Sequence, residues 1–123
     1  MAGYVTNIER DTVANEDYRR VVFTGAHLQL VLMTLQPGDE IGRETHDEHD
    51  QFIRVEAGRG ELSLGAQRFP LTDGVAAVIP AGVEHNVVNT SASEALRLYT
   101  LYGPPEHREG TLHRTKADEP PGH

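Results

Sequence analysis

His85 is the residue of this chain most clearly placed to do chemistry. It follows the turn Pro80-Ala81-Gly82 by three residues, and the apolar pair Val87-Val88 comes just after it. Proline fixes φ and glycine tolerates a positive φ, so the turn predicts a tight reversal between two short strands. A histidine held by backbone on both sides has the fixed position that a metal ligand or a catalytic base needs. The competing interpretation is a buried histidine with a purely structural role.

Short strand candidates separated by turn signals surround this histidine. The turns lie at residues 37–39, 58–60, 65–67 and 72–74. Residues 61–64 and 95–102 alternate between apolar and polar types, and the apolar run 75–79 is typical of a buried strand. No convincing amphipathic helix lies in the middle of the chain, so the pattern predicts an all-β, antiparallel sandwich or barrel.

Composition limits the classes of protein to which the chain can belong. Its 123 residues suit one domain, and the absence of cysteine leaves His, Asp, Glu and amide oxygens as the only metal ligands. The net charge of −8 argues against nucleic acid and anionic membranes as partners. The N-terminus lacks the pattern of a signal peptide, and no apolar stretch reaches the roughly 20 residues that span a bilayer. A cytoplasmic protein is therefore expected.

Three segments of different character divide the chain. Residues 1–19 are weakly patterned and form an N-terminal arm, in which residues 11–20 are either a helical turn or irregular. Residues 20–103 contain the predicted barrel. Residues 104–123 form a C-terminal tail that begins with two prolines, which cannot donate to a β-ladder. The very end of this tail is predicted to be disordered.

The residues around His85 resemble a signature motif of a known superfamily. Gly74, Pro80, Gly82, His85 and Asn89 match every marked position of Gly-x5-Pro-x-Gly-x2-His-x3-Asn, the second motif of the cupins. The chain is therefore identified as resembling a small single-domain cupin with a cupin-2-like barrel. The resemblance implies a jelly-roll-like β-barrel with the site inside its mouth.

The first cupin motif is altered in this chain. Gly58 matches its closing glycine, and Gly38 lies near its opening glycine. Counting back from Gly58 puts Gln51 where the motif has glutamate, and His46 where it has its second histidine. Glu44 then stands at the position of the first histidine. In a strand, residues two apart point to the same face, so Glu44 and His46 can reach one ion.

The resemblance implies that Glu44, His46, Gln51 and His85 hold a divalent metal. This set carries one negative charge, as does the usual set of three histidines and one glutamate, but the carboxylate occupies a different position. Without Gln51, the two histidines and the carboxylate leave open positions that suit non-haem Fe(II) and oxygen. Fe(II) or Mn(II) is the expected ion, and Ni(II) or Zn(II) would also fit these ligands.

A metal-dependent enzyme acting on a small organic molecule is the function that the resemblance favours. Dioxygenase-type chemistry is preferred, because only Arg43, Arg54 and Arg97 lie near the predicted site to bind a phosphate. One alternative is a Lewis-acid isomerase or lyase, such as a cupin similar to sugar-phosphate isomerases, with Glu48 or Asp50 as the base. The other is a non-catalytic cupin that binds a small ligand.

The remaining histidines and the sheet edges give further expectations. His49 is interpreted as a solvated loop residue, and His107 and His113 as surface or interface residues. Cupins commonly cover an exposed sheet edge by dimerising, and the arm or residues 103–113 could provide the contact. A homodimer is therefore expected.

Overall fold

The elements of the chain are mostly short β-strands. The computed structural model describes residues 3–120. Within this range the order is α1 Ile8–Ala14, β1 Arg19–Thr24, β2 Gln29–Leu35, β3 Asp50–Ala57, β4 Gly60–Leu64, β5 Gln67–Leu71, β6 Ala76–Ile79, β7 His85–Val88, β8 Leu96–Gly103 and β9 Leu112–His113, followed by a 3₁₀ helix at Lys116–Asp118. No helix in the described range has both the length and the hydropathy that crossing a membrane requires.

The strands form two antiparallel sheets. The larger sheet has the order β6-β3-β8-β2-β1-β9, and the smaller has the order β5-β4-β7. Every pairing between strands is antiparallel. This architecture confirms the all-β, jelly-roll-like barrel predicted from the turn spacing and the cupin motif.

The core lies between the sheets and follows from strand alternation. In β8, every second residue is buried (Leu96, Leu98, Thr100 and Tyr102), while the residues that alternate with them are only half-buried. Strands alternate in this way when one face packs against a core. The core cluster consists of Tyr18, Val21, Val31, Met33, Leu35, Ile41, Ile53, Val55, Leu62, Leu71, Ile79, Val87, Leu96, Leu98 and Tyr102.

Strand β6 differs from the prediction of a buried strand at 75–79. Ile79 is buried, but Ala76 is exposed and Val78 has 67% of its surface accessible. The reason lies in the sheet order, because among residues 3–120 β6 stands at the edge of the larger sheet and has β3 as its single partner strand. An apolar run in sequence cannot show which strand will stand at an edge.

The N-terminal arm contains a short helix. Helix α1 begins after Asn7, whose side chain accepts a hydrogen bond from the backbone N–H of Arg10 at 3.0 Å, a regular N-cap. Thr12 is the buried residue of this helix. The sequence left residues 11–20 undecided between a helical turn and irregular structure, and the helix lies earlier than that segment and overlaps it only in part.

The C-terminal tail returns to the barrel of the same chain. Strand β8 ends at Gly103, as the two following prolines predict, and β9 then pairs with β1. The fully buried side chain of Arg19 forms an ion pair with Glu119 at 2.7 Å. The tail thus covers the β1 edge from within the chain, and the homodimer stays a prediction. The predicted disorder of the chain end falls on residues 121–123, outside the described range.

Candidate metal centre

The turn before β7 fixes the position of His85. Gly82 adopts a φ of 86°, a region that residues with a Cβ atom rarely enter, and this lets the chain reverse after Pro80. The Val83 N–H donates to the carbonyl oxygen of Pro80 at 3.2 Å. His85 then begins β7 with only 3% of its surface accessible.

Backbone hydrogen bonds tie Glu44 and His46 to this turn. Glu44 and His85 form an isolated antiparallel bridge in which each N–H donates to the other's carbonyl oxygen at 2.9 Å. The N–H of Gly82 donates to the carbonyl oxygen of His46 at 2.8 Å. Directly opposed residues of an antiparallel pair point to the same face, so the Glu44 and His85 side chains are brought together.

Glu44, His46 and His85 form a cluster inside the barrel. One ligand atom from each lies within 4.8 Å of the others, and among residues 3–120 this is the cluster of His, Asp or Glu that meets that geometry. The Nε2 atom of His46 lies 3.7 Å from Oε1 of Glu44, and the two histidine ring centroids are 5.3 Å apart. His85 is buried, and the other two residues are half-buried.

A backbone carbonyl orients the ring of His85. Its Nδ1 atom lies 2.9 Å from the carbonyl oxygen of Val83. A carbonyl oxygen can only accept, so Nδ1 carries a ring hydrogen, and in the neutral ring this leaves the lone pair on Nε2. This Nε2 is buried and has no hydrogen-bond partner among the described residues. A backbone carbonyl that fixes the tautomer is a usual support for a histidine that binds metal.

The ring of His46 lies between two carboxylates. Its Nδ1 atom is 3.3 Å from Oε2 of Glu106, and its Nε2 atom faces Glu44. The Glu44 carboxylate raises the pKa of His46 above its ordinary value; burial opposes this effect and Glu106 adds to it. The Nε2 atom is buried and makes no hydrogen bond within the described chain, since 3.7 Å is too long for one.

Gln51 is buried at the start of β3, beside the cluster. Its Nε2 atom donates to Oγ1 of Thr100 at 3.0 Å and to the hydroxyl oxygen of Tyr102 at 3.2 Å. Its Oε1 atom is buried without a partner in the described range. The Tyr102 ring packs edge-on against His46 with 5.9 Å between centroids. Burial, and then the Glu44 charge, raise the pKa of Tyr102, so its hydroxyl keeps its proton.

These donor atoms fit a divalent metal. Two imidazole nitrogens, a carboxylate and an amide oxygen are ligands of Fe(II), Mn(II), Ni(II) and Zn(II) alike. Buried polar atoms normally have partners, and here Nε2 of His46, Nε2 of His85 and Oε1 of Gln51 have none in the described chain. The structure thus places the four predicted ligands in one region and joins three of them in one cluster, whereas their role as ligands stays a prediction.

The family follows from comparison with known proteins. The family model described as the cupin domain matches residues 31–102 of this chain, which is more than half of its length. The chain belongs to the cupin family. It is a cupin domain with a His and Glu cluster that could hold a divalent metal ion.

Several relatives resemble this cupin over much of its length. The Bacillus subtilis protein YrkC is 45% identical over 94% of this chain, and the chain spans 64% of YrkC. A Bacillus halodurans protein of known crystal structure is 45% identical with a TM-score of 0.91, covering 94% of this chain and 91% of that one. The quercetin 2,3-dioxygenase of Bacillus subtilis is 33% identical over 68% of this chain, which spans 25% of the dioxygenase.

The two candidate bases of this cupin do not join the cluster. Glu48 and Asp50 are both exposed in the structure. Oδ1 of Asp50 accepts a hydrogen bond from the backbone N–H of Ala81 at 2.9 Å, so this carboxylate holds the turn before His85. Their sequence position close to His46 suggested proximity to the site, but the loop turns these side chains outward.

The sequence interpretation missed three residues around the cupin site. His49 is not a solvated loop residue, because its Nε2 lies 2.9 Å from Oε2 of Glu106 and its side chain is 17% exposed. His107, expected at the surface or in an interface, is half-buried, and its ring packs edge-on against Tyr102 with 5.2 Å between centroids. Glu106 was assigned no role. No motif marks it, and only the return of the tail brings it to His46.

Proposed function

We propose that this cupin is a metal-dependent enzyme of dioxygenase type that acts on a small organic molecule. The observation that carries the proposal is the cluster of Glu44, His46 and His85, with their ligand atoms within 4.8 Å of one another. The buried Nε2 atoms of the two histidines support it, because each lacks a hydrogen-bond partner in the described chain. An unpaired buried nitrogen costs free energy that a bound ion would recover.

Each residue of the cluster has a distinct task in this proposal. His46 and His85 would bind the ion through Nε2, and Glu44 would supply the negative charge. A bound Fe(II) or Mn(II) ion supplies redox chemistry toward dioxygen, and a set of two histidines and one carboxylate leaves positions open for substrate. Gln51 would bind weakly through Oε1, because its amide nitrogen is committed to Thr100 and Tyr102.

Tyr102 would orient two of the proposed ligands. Its hydroxyl accepts from Gln51, and burial raises its pKa, so the phenol stays protonated and keeps a hydrogen to donate. Its ring stands against His46, one of the proposed ligands. Because this side chain is only 1% exposed, its task in the proposal is to hold the Gln51 amide and the His46 ring in place beside the ion.

The basic residues support oxygen chemistry over phosphate chemistry. Arg43 pairs with Glu84, Arg54 with Glu56, and Arg97 with Glu16. A sugar-phosphate isomerase needs cations directed at the phosphate, and these three guanidinium groups face carboxylates instead. The similarity to quercetin 2,3-dioxygenase points in the same direction.

Metal analysis and oxygen uptake test the proposal together. The protein is purified without chelator, and its metal content is measured by mass spectrometry before and after reconstitution with Fe, Mn, Ni or Zn. We expect one ion per chain with Fe(II) or Mn(II), and dioxygen consumption with at least one member of a panel of diketones, flavonols and thiol acids.

The substitution series separates the possible outcomes. Glu44→Ala, His46→Ala and His85→Ala should each lose metal, whereas Glu48→Ala should keep it, because Glu48 is exposed and outside the cluster. Metal content far below one ion per chain after reconstitution would refute the metalloenzyme. A fully loaded protein that consumes no oxygen with any compound would instead favour the isomerase, lyase or ligand-binding alternatives.

A further inference from the structure

A short piece of the tail, residues 104–107, crosses the end of the barrel where the site lies. We name this piece the strap. The buried side chain of Gln29 holds it: Oε1 accepts from the N–H of Glu106 at 3.1 Å and from the N–H of His107 at 2.9 Å. Its Nε2 donates to the carbonyl oxygen of His107 at 2.7 Å. Three hydrogen bonds from one amide thus fix the strap in place.

The strap covers one row of the larger sheet. Gln29 and Gln51 both pair with Tyr102 in the strand register, so these three residues lie side by side at the ends of their strands. Side chains at strand ends are normally accessible, yet each of these is at most 3% exposed. The His107 ring packs edge-on against Tyr102, which accounts for part of this burial.

The strap carries a carboxylate to the candidate ligand His46. Oε2 of Glu106 lies 3.3 Å from Nδ1 of His46 and 2.9 Å from Nε2 of His49. The other ring nitrogen of His49 lies 2.7 Å from the carbonyl oxygen of Pro104, so His49 holds the strap at two points. The Glu106 carboxylate is therefore fixed by both the strap and the loop.

We propose that Glu106 is a positioning residue that orients His46 for metal binding, an inference that rests on the proposed metal site. In the neutral ring, the Glu106 carboxylate 3.3 Å from Nδ1 would favour the hydrogen on Nδ1 over Nε2, which lies farther from its own carboxylate, Glu44, at 3.7 Å. The lone pair of His46 would then stand on Nε2, the atom available to a metal ion. The carbonyl oxygen of Val83 does the same for His85. Both histidines thus present Nε2, one through a local backbone contact and the other through a residue 60 positions away in the sequence.

The tautomer of His46 tests this directly in metal-free protein. Nitrogen-15 NMR of the histidine rings at about pH 9, where imidazole is neutral, identifies which nitrogen carries the hydrogen. We expect Nδ1–H for both His46 and His85. Glu106→Ala should change the His46 signal and leave that of His85 unaltered, whereas Glu106→Gln should preserve Nδ1–H because its amide oxygen still accepts.

Metal affinity provides the second readout. With Mn(II) measured by calorimetry, Glu106→Ala should weaken binding by about 10- to 100-fold, the usual loss when a ligand's hydrogen-bond partner is removed. Glu106→Gln should lose less. The control is Glu109→Ala, an exposed carboxylate of the same tail, which should bind like the parent protein. Thermal melts of each metal-free variant show that it is folded.

Distinct results separate the two proposals. An unchanged His46 tautomer in folded Glu106→Ala, or an Nε2–H tautomer in the parent protein, would overturn the role of Glu106. Parent protein that binds no metal at all would overturn the proposed function, while the NMR comparison would still decide whether Glu106 sets the tautomer.

Discussion

The two histidines of the candidate centre are held by different kinds of contact. Around His85 the contacts are local, since Val83 fixes its ring and the turn at Gly82 fixes its backbone. Around His46 they are distant, since Glu106 faces its ring and the N–H of Gly82 binds its carbonyl oxygen. His46 itself lies in a stretch that forms no strand.

This difference shows that two segments of the barrel position the site residues in different ways. Residues 74–89 contain their own turn and strand and the carbonyl oxygen that orients the His85 ring, with Asp50 and His46 as additional partners of the turn. We call these residues the rigid half. Residues 44–51 depend on that half and on the tail for their geometry. This second half is also the one in which the chain departs from the usual cupin motif.

The largest expected effect comes from the rigid half. His85→Ala should weaken Mn(II) binding by more than about 100-fold, beyond the loss typical when only a ligand's supporting partner is removed. The reason is that it deletes a buried donor atom itself. Calorimetry on the folded variant measures the change. Binding within about threefold of the parent protein would show that this half does not supply a ligand.

The next-largest effect concerns a residue of the rigid half that stabilises the fold but is not a proposed metal ligand. Asn89 is 1% exposed; its Nδ2 donates to the carbonyl oxygens of Leu35 and Glu94, and its Oδ1 accepts from the N–H of Ser91. Asn89→Ala should destabilise the protein by about 3 kcal/mol, because buried backbone groups lose their partners.

Urea unfolding measures the stability of this variant, with the exposed neighbour Thr90→Ala as the control. The control should change the free energy of unfolding by less than about 0.5 kcal/mol. Metal affinity of folded Asn89→Ala should stay near that of the parent protein. A large loss of affinity with little loss of stability would mean that the rigid half does more than support His85.

The smallest effect concerns residues 44–51, in which the charge of Glu44 acts on the pKa of His46. In metal-free protein Glu44 raises the pKa of His46. A raised folded-state pKa stabilises the fold below the pKa of the unfolded chain, and this stability is lost as pH rises through the folded value. The parent protein should therefore exceed Glu44→Gln in stability at about pH 6, and the difference should shrink toward about pH 9.

Urea unfolding at several pH values checks this, and NMR titration of His46 gives the cause. The His46 pKa should lie lower in Glu44→Gln than in the parent protein. A stability difference that grows with pH, or an unchanged His46 pKa, would show that Glu44 and His46 are not coupled as the distances indicate.

Much of the barrel could be predicted because its cues are local. Alternation in β8 and the turns around β4 and β5 gave the strand positions, and the motif around His85 indicated the family. The exposed face of β6 could not be foreseen, because the order of strands in the sheet determines it. The same holds for the site. Motif spacing identified Glu44 and His46, whereas Glu106 could not be identified because it contacts His46 only after the C-terminal tail folds back onto the barrel.

X-ray diffraction at the absorption edge of the bound metal, on crystals of reconstituted protein, tests the central claim most directly. The account predicts one anomalous peak within bonding distance of Nε2 of His46, Nε2 of His85 and a carboxylate oxygen of Glu44. It predicts that the Nδ1 atoms of both histidines point away from the ion. A peak bonded through either Nδ1, a peak between His49 and Glu106, or the absence of any peak in loaded crystals would contradict it.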